Sequence, residues 1–445
     1  MGQGRLFGEA RGEGGSPAGE AARRERLQSL RPRLVKVNRA QLELRPVDLD
    51  RIIGPDHPAR LLWQAVERLD LSKFYEPIKA RESEPGRTPT DPKVFVALWL
   101  YATSDGVGSG RELETLCSEH DAYRWLRGGV PLNYHTLSDF RTAHGAALDE
   151  LLTQVLAVML QQDLISLTRV SQDGLRVRAS AGNTSFRRKK SLKRCLREAR
   201  HQVETVKRLA DDGEHQARRR AAQERATRER LERLQQALVQ LGQLEQQRAQ
   251  QTGGHKAKGE PRASTTDAEA RNMRMGDGGY RPGYNVQLAT ETKNNVIVGV
   301  AVTNSGSDSG EAVPMLEQIE ERTGQKPKEY LVDGGYTDKQ TVDEMAARKV
   351  TLYGPVVERW GQDPHATKMT DSAARAAWRK RMATPRAKAI YRDRAQYSER
   401  VNADLKTKRT LTQFLVRGHQ KVLCIALWNA LAYNLLRWLS VTASA

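Results

Sequence analysis

The chain has 445 residues, of which 38% are hydrophobic, so it is long enough for two or three domains and apolar enough for most of it to fold. Lys and Arg number 73 against 54 Asp and Glu, and the resulting net charge of +19 favours polyanionic partners, DNA first among them. Ribosomal and membrane-surface proteins share such a surplus. Three scattered cysteines exclude a disulfide framework or a zinc finger, and the N-terminus lacks the apolar segment of a secretory signal.

The first third of the chain predicts helices. Residues 1–28 are rich in Gly, Arg and Glu and predict a disordered tail, whereas residues 40–165 carry helical patterns. An apolar helix is expected over Val94–Tyr101, a second over Arg111–Leu126 and a short one over His135–His144. Helices of this length joined by Gly-rich turns suit a helix-turn-helix DNA-binding unit or a plain helical bundle, and the pattern leaves both open.

A strand and a long charged tract follow. Ile165–Asp173 largely alternates apolar and polar residues and predicts a strand that ends at Asp173-Gly174. Residues 186–251 predict a helical hairpin or coiled coil with a turn at residues 211–213. Leucines recur in it at steps of three and four: Leu231, Leu234, Leu238, Leu241 and Leu244. This seam either folds back within the chain, which we favour slightly, or pairs two protomers.

The remainder alternates strands and helices. A β-hairpin is predicted over residues 284–302, and Tyr330–Asp333 predicts a short strand that again ends at Asp-Gly. Helices are expected on either side of that strand, and another near Tyr391 carries Glu399. The apolar run near Val422–Val441 contains polar residues and predicts a buried helix, from about Val422 to Leu439, rather than a membrane span. Together these elements predict a mixed sheet covered by helices.

Two aspartates are the first candidates for chemistry. Asp173 and Asp333 each follow strand residues and precede glycine, the position where ligands meet the carboxyl ends of strands in open α/β sheets. If their strands are neighbours, the two carboxylates repel each other unless a cation lies between them. Mg²⁺ or Mn²⁺ suits such oxygen ligands and supports phosphodiester chemistry. Asp-Gly after a strand is also a common turn, and the two interpretations weigh about equally on this pattern alone.

Several separate segments together resemble the DDE transposases of bacterial insertion sequences, in the branch with a helical N-terminal domain and a Tyr-Arg-Glu-Lys signature. The resemblance covers about residues 40–440. Its segments are His135–Arg141, Asp173–Ala181, Gly283–Gln287, Val332–Tyr336, the set Tyr391, Arg394, Glu399 and Lys406, and Phe414–Gly418. The chain departs from the signature at one point, because four residues rather than three separate Arg394 from Glu399.

The resemblance implies an α/β fold: an RNase H-like mixed-sheet catalytic core with a helical insertion, preceded by an all-helical N-terminal domain. The expected division is a disordered tail at 1–28, a helical DNA-binding domain at 29–160 and a catalytic domain at 161–440, interrupted by the charged helical insertion at 183–265. These boundaries are predictions from the sequence.

The resemblance also implies the reaction. Asp173, Asp333 and Glu399 would hold two Mg²⁺ (or Mn²⁺) ions per active site, Asp173 bridging both. Water would cut DNA at the end of the element without a covalent enzyme intermediate, and the freed 3′-hydroxyl would attack target DNA. DNA-binding residues are expected at Tyr391, Arg394, Lys406, Arg409, Arg417, Arg187, Lys189, His135 and Arg141.

The expected partner is double-stranded DNA, both the terminal inverted repeats of the element and its target. A homodimer or larger assembly is expected when two ends are brought together. We predict a cytoplasmic, nucleoid-associated protein with no membrane contact. The main alternative is a catalytically inactive or domesticated DNA-binding protein derived from a transposase, and a further one is a coiled-coil scaffold with incidental charge.

Overall fold

The protein is described by a computed structural model that covers residues 47–80, 88–208, 214–250, 259–357 and 363–442, together with isolated positions before residue 47; side chains of 214–218 are not described. The predicted tail at 1–28 and the predicted turn at 211–213 lie outside the described residues. The chain separates into the units Met1–Asp48 and Leu49–Ala445, and all elements below belong to the second.

Helices fill the chain before the sheet, as predicted. After a 3₁₀ turn at Leu49–Ile52 come α1 (Pro58–Glu67), α2 (Ser72–Tyr75), α3 (Pro92–Ser104), α4 (Gly110–Glu119), α5 (Asp121–Arg127), α6 (Tyr134–Ala143) and α7 (Gly145–Gln161). The Asp91 side chain accepts a hydrogen bond from the Lys93 amide at 2.8 Å and so caps α3. The single helix predicted over Arg111–Leu126 is wrong, because His120 is extended and its ring caps a new helix, α5.

The central sheet is mixed, which confirms the predicted fold class. Its strands are β1 (Arg169–Arg178), β4 (Arg271–Arg274), β5 (Tyr280–Glu291), β6 (Ile297–Thr303), β7 (Glu329–Leu331) and β8 (Thr351–Tyr353); two short strands, β2 (Phe186–Arg187) and β3 (Ala263–Ser264), pair separately. β5 pairs antiparallel with β1, β4 and β6, whereas β7 lies parallel to β1 and β8 parallel to β7. The order β6-β5-β1-β7-β8 puts β1 at the centre.

The first strand is longer than its sequence predicts. Asp173 lies inside β1 rather than at its end, because β5 continues to pair with β1 as far as Arg178. Gly174 therefore does not make the predicted turn. Asp333, in contrast, follows β7 by two residues and caps a 3₁₀ turn at Gly334–Tyr336, which confirms its position beyond a strand end.

The later helices cover the sheet and join it to the N-terminal helices. They are α10 (Ala312–Thr323), α11 (Lys339–Ala347), α12 (Ala373–Ala383), α13 (Pro385–Arg392), α14 (Arg394–Thr407) and α15 (His419–Thr442). The Asn434 amide group exchanges two hydrogen bonds with the Ile297 backbone, and the Trp428 indole donates to the Arg141 carbonyl at 2.9 Å. Helix α15 thus links the sheet edge to α6.

By length and hydropathy alone, two described segments could cross a membrane. One is α15, and 78% of its most apolar stretch is buried inside the protein. The other exists only if α6 and α7, which are bent by 68° relative to each other, count as one span. The burial of α15 supports the predicted core helix.

The charged tract forms a helical hairpin. Its helices are α8 (Lys189–Arg208) and α9 (Glu214–Gln250), and the β2–β3 pair joins the two ends of the insertion. A separate apolar cluster lies between the helices, formed by Leu192, Leu196, Ala199, Leu234, Ala237, Leu241, Ala263 and Ala268, with Leu231 and Leu238 packed against it. The leucine seam therefore folds back within the chain, as we favoured.

Candidate active site

The Asp173 side chain lies at the centre of the site, where it points from β1 toward α14. Successive side chains of a strand point to opposite faces, so Ser171 and Asp173 share the face that α14 covers. The Ser171 hydroxyl bonds to that of Ser398 at 2.5 Å, and the Asn402 amide donates to Asp173 Oδ2 at 2.9 Å. Arg394, Ser398 and Asn402 stand four residues apart along α14, and this spacing places them on one side of the helix.

Asp333 is the neighbour of Asp173 across the sheet. The strand before it, β7, pairs in parallel with β1, with Leu331 opposite Ser171. The Asp333 side chain is held in place because its Oδ1 accepts a hydrogen bond from the Gly335 amide at 2.7 Å. The Arg394 guanidinium lies between the two aspartates, with Nη2 3.4 Å from Asp173 Oδ1 and 3.9 Å from Asp333 Oδ2. The structure thus brings the two predicted carboxylates together around one cation.

The charge state of Asp173 reflects its surroundings. Burial raises the pKa of this carboxyl to about 6; the Arg394 guanidinium opposes the rise, and the Asp333 and Asp308 carboxylates add to it. The Asp173 side chain is 18% exposed and that of Arg394 11%, whereas Asp333 is 39% exposed. Asp333 therefore opens to solvent, and Asp173 is the buried member of the pair.

A third acid, Asp308, lies on the opposite face of β1. It follows β6, and its carboxylate accepts hydrogen bonds from Asn285 at 2.6 Å and Gln287 at 2.8 Å and pairs with Arg176 at 3.1 Å. Gly174 makes room for it, because a Cβ there would lie 2.4 Å from Asp308 Oδ1. The glycine after Asp173 serves a close approach of side chains.

A buried hydrogen-bond network continues from Asp308 across the sheet. Gln172 donates to Gln287 at 2.8 Å and accepts the Tyr330 hydroxyl hydrogen at 2.8 Å. Tyr336, in the turn after Asp333, donates to the same Gln287 oxygen. Because this turn is tied to the middle of β5, the network fixes Asp333 relative to Asp173.

The predicted signature residues separate into two groups. Tyr391 joins the site: burial raises the pKa of its hydroxyl, Arg394 opposes this, and Asp333 and Asp173 add to it. Glu399 and Lys406 are exposed. Glu399 follows Ser398 and precedes Asn402 by three residues, so it lies on the flank of α14 beside the face that contacts Asp173. Its place as a metal ligand stays a prediction.

Two residues predicted to bind DNA have buried side chains. Arg141 is 7% exposed, its guanidinium lies over the Trp99 ring and donates to the Gly108 carbonyl, and burial lowers its pKa to about 10. Arg409 is also 7% exposed and pairs with Asp404. In this structure both guanidinium groups pack inside the protein, where they connect helices and loops rather than face a ligand.

The other predicted DNA contacts are exposed. His135 lies against Tyr134 on α6, and Arg417 donates to the Ser180 carbonyl at 3.3 Å. Arg187 donates to a backbone carbonyl beside it, and Lys189 pairs with Glu245 of α9 at 2.7 Å. Contact of these four residues with DNA stays a prediction, and Lys189 would have to exchange its intramolecular partner.

The donor set suits a hard divalent cation. Mg²⁺ commonly takes one or two protein carboxylates and completes its octahedron with waters and substrate phosphate. Asp173 and Asp333 offer such a pair, and the guanidinium between them already occupies the place of a cation. Within the described part of the chain, no group of three or more His, Cys, Asp or Glu side chains is arranged to hold a metal. The pair fits the ion, with the third ligand yet to be supplied.

Sequence reasoning missed two residues that matter here. Asn402 gives no signal, because an asparagine within an amphipathic helix resembles any polar surface residue. Asp308 gives no signal of its own either, because it stands in a polar segment just before the helix that begins at Ala312. A usable signal was the presence of Asn285 and Gln287 among the apolar residues of β5, since buried polar side chains need partners.

The parallel strands β1 and β7 lie at the centre of the sheet and bring two carboxylates together. Antiparallel strands flank this pair on one side, and helices cover the sheet. This is the arrangement of an RNase H-like core. The Transposase DDE domain family matches residues 248–435, and the Transposase domain (DUF772) family matches residues 47–143. The chain therefore belongs to the DDE transposases, with the two domains typical of bacterial insertion sequences. The family is one of metal-dependent DNA-cleaving enzymes.

The two matched ranges divide the site. Asp333 and Glu399 fall within the DDE match, whereas Asp173 precedes it and is joined to it by the β1–β5 and β1–β7 pairings. No curated protein and no solved structure matches the chain significantly.

Proposed function

We propose that this transposase binds the ends of its mobile element, cleaves their phosphodiester bonds with two divalent metal ions and joins the 3′ ends to target DNA. The observation that carries the proposal is the Asp173–Asp333 pair, with Asp173 on β1, Asp333 just beyond the parallel neighbouring strand β7, and Arg394 between the carboxylates. Two carboxylates are brought this close at a cost in repulsion, which a cation relieves.

The chain's own residues would prepare the site. When bound, Mg²⁺ or Mn²⁺ would activate the attacking oxygen and stabilise the leaving one. Asp173 would take the central ligand position, held by Asn402, and Asp333 would hold its ion from the turn fixed by Gly335 and Tyr336. The partial burial of Asp173 limits access of water to its carboxylate.

Glu399 is proposed as the third carboxylate. It is exposed on the flank of α14, one helical turn from Asn402, which contacts Asp173. Side chains at this spacing have Cβ atoms about 5–6 Å apart. A change of side-chain rotamer, or a small rotation of α14 when DNA enters, would bring Glu399 toward the pair. Lys406, two turns along from Glu399, would face a DNA phosphate on the same side.

Arg394 is proposed to have two roles. Without metal it neutralises Asp173 and Asp333. If a metal ion took its place, the guanidinium would be free to turn toward the substrate, where with Tyr391 it would orient a phosphate. Reaction at paired element ends requires at least a dimer, and we propose that the protein acts in the cytoplasm on nucleoid DNA.

A cleavage assay tests the proposal. The full chain is incubated with Mg²⁺ and duplex DNA that carries the ends of its own element. Wild type should nick it, D173N, D333N and E399Q should reduce the rate by at least a hundredfold, and E321Q, on the exposed side of α10, should not change it. Duplex binding is measured in parallel by fluorescence anisotropy.

The alternative, an inactive DNA-binding descendant, predicts binding without cleavage in wild type. Failure of wild type to nick DNA under conditions where it binds those ends would therefore reject the enzyme. If D173N and D333N abolish cleavage but E399Q does not, the carboxylate pair stands and Glu399 is removed from the metal site.

A further inference from the structure

Helix α8 has two sharply different faces. Leu192, Leu196 and Ala199 are buried against α9, where they meet Leu234 and Leu241. These contacts fix the rotation of α8 about its own axis, so the opposite face must point to solvent.

Four cations lie on an exposed flank of α8, about 110° around the helix axis from the buried face rather than directly opposite it. Lys190, Lys193, Arg197 and Arg200, here called the basic stripe, follow each other at steps of three, four and three residues and are all exposed. At about 100° per residue they fall within an arc of roughly 80°, and they extend over about 15 Å of helix. The stripe is thus a narrow line of positive charge.

Among the described residues, no acidic side chain lies within 4 Å of a charged nitrogen of the stripe. The ion pairs of α8 involve its neighbours instead, Lys189 with Glu245 and Arg194 with Glu198. On helix α9, Arg220 pairs with Glu224 and Arg233 with Glu229. Two of the arginines of α9 are therefore compensated by neighbouring carboxylates, whereas among the described residues none of the four cations of the stripe is.

We infer that the basic stripe binds the phosphate backbone of double-stranded DNA; the inference rests on the proposed DNA transposase. A 15 Å line of cations matches the phosphates of about four to five successive nucleotides. The stripe holds no aromatic side chain to stack on a base and no Asn or Gln to read one. Contacts of this kind to the phosphate backbone position DNA without recognising its sequence.

The stripe lies close along the chain to the catalytic strand. Helix α8 begins directly after β2, which follows β1, the strand that carries Asp173. The β2–β3 pair closes the base of the insertion, and β3 leads back to β4 and β5 of the same sheet. DNA held by the stripe is thereby tied to the body that holds the carboxylate pair.

The test compares two fourfold variants of the full chain. K190A/K193A/R197A/R200A removes the stripe, and R220A/R225A/R228A/R233A removes the same charge from the partner helix. Binding to a 30-base-pair duplex of arbitrary sequence is measured by fluorescence anisotropy in EDTA between 50 and 200 mM KCl. Circular dichroism checks the helicity of both, which alanine should preserve.

Removal of the stripe should lower the slope of log K against log salt by about 3 to 4, since each neutralised phosphate contributes about 0.9. Over this fourfold range of salt the wild type should then lose roughly a hundredfold more affinity than the variant. The α9 variant should keep a slope within one unit of wild type.

Equal slopes in all three proteins, or equal losses in both variants, overturn the inference. Binding to a single-stranded RNA is measured in the same way. If the stripe variant loses affinity for the RNA but not for duplex DNA, the inference is overturned as well, and the stripe is assigned to RNA. The result is separable from the proposed function. If D333N loses cleavage but the stripe variant binds duplex DNA as wild type does, only the inference about the stripe is rejected. If duplex binding depends on the stripe but wild type cleaves no DNA, only the proposed enzyme is rejected.

Discussion

Replacing Arg394 by glutamine takes away the cation that lies between Asp173 and Asp333. At an effective dielectric constant of about 20, the distances of 3.4 and 3.9 Å correspond to gross attractions of roughly 5 and 4 kcal/mol. Desolvation offsets much of this, and the contribution of Asp333 is screened because its side chain is 39% exposed. We expect a net effect of about 1.5–3 kcal/mol.

This energy must be overcome when a metal ion displaces the guanidinium. R394Q should therefore bind Mn²⁺ about 10–100 times more tightly than wild type, since about 1.4 kcal/mol corresponds to a factor of ten. Binding is measured by isothermal titration calorimetry at pH 8 without DNA, where the Asp173 carboxyl is ionised. The metal-free variant should also unfold at a lower temperature, with a larger upward shift on addition of Mn²⁺.

The control is R400Q, which removes the same charge from an exposed position of α14. It separates the local exchange of cations from a change in net charge. If R394Q binds Mn²⁺ no more tightly than R400Q, Arg394 does not occupy the place of the ion, and the reasoning is refuted. R394K should fall between R394Q and wild type, because lysine keeps the charge without the planar fork.

Three further predictions concern the fold around the site. Because burial raises the pKa of Asp173 to about 6, the folded state holds this proton more tightly than the unfolded state, so in EDTA the free energy of unfolding should fall by about 2–2.5 kcal/mol between pH 4 and pH 7. Urea denaturation of D173N should lack that fall, and an identical fall in both proteins contradicts the assignment. G174A should lower the free energy of unfolding by about 1–3 kcal/mol, because the added Cβ would meet Asp308. The control G242A, which has open space around it, should be neutral or stabilising. Equal stability of the two variants argues against the close approach at Gly174. R322A should cost about 1–3 kcal/mol in thermal unfolding: the Arg322 side chain of α10 is 3% exposed and pairs with Asp149 of α7, but Asp149 is 49% exposed and stays hydrated when the arginine is removed. A loss under about 0.5 kcal/mol shows that this link between helices is dispensable.

Much of the fold could be predicted from local patterns. Alternation along residues 284–302 and the Asp-Gly after Leu331 gave the hairpin and the position of Asp333, and the leucine spacing gave the insertion. The end of β1 could not be predicted, because Asp173-Gly174 reads as a turn until its partner is known. The register that carries β1 on to Arg178 is set by β5, about a hundred residues later.

The site was predictable to the extent that its residues stand in recognisable segments. Asp173, Asp333 and Arg394 lie together, and the charges of all three affect the pKa of Tyr391. That these residues form the catalytic site stays a prediction. The contacts of Asn402 and Asp308 depend on which face of a helix or strand is turned inward, and tertiary packing decides that. The burial of Arg141 and Arg409 has the same origin, since composition predicts arginines at the surface.

The way the insertion is attached has a consequence for how this protein can diverge. Its two ends meet at the short β2–β3 pair, where Phe186 lies opposite Ser264, and the hairpin has an apolar cluster of its own. Changes in the length or charge of α8 and α9 therefore leave the strands that carry the carboxylates in register. Transposases of related mobile elements can therefore change the α8–α9 hairpin to suit different DNA while the geometry of the carboxylate pair is kept.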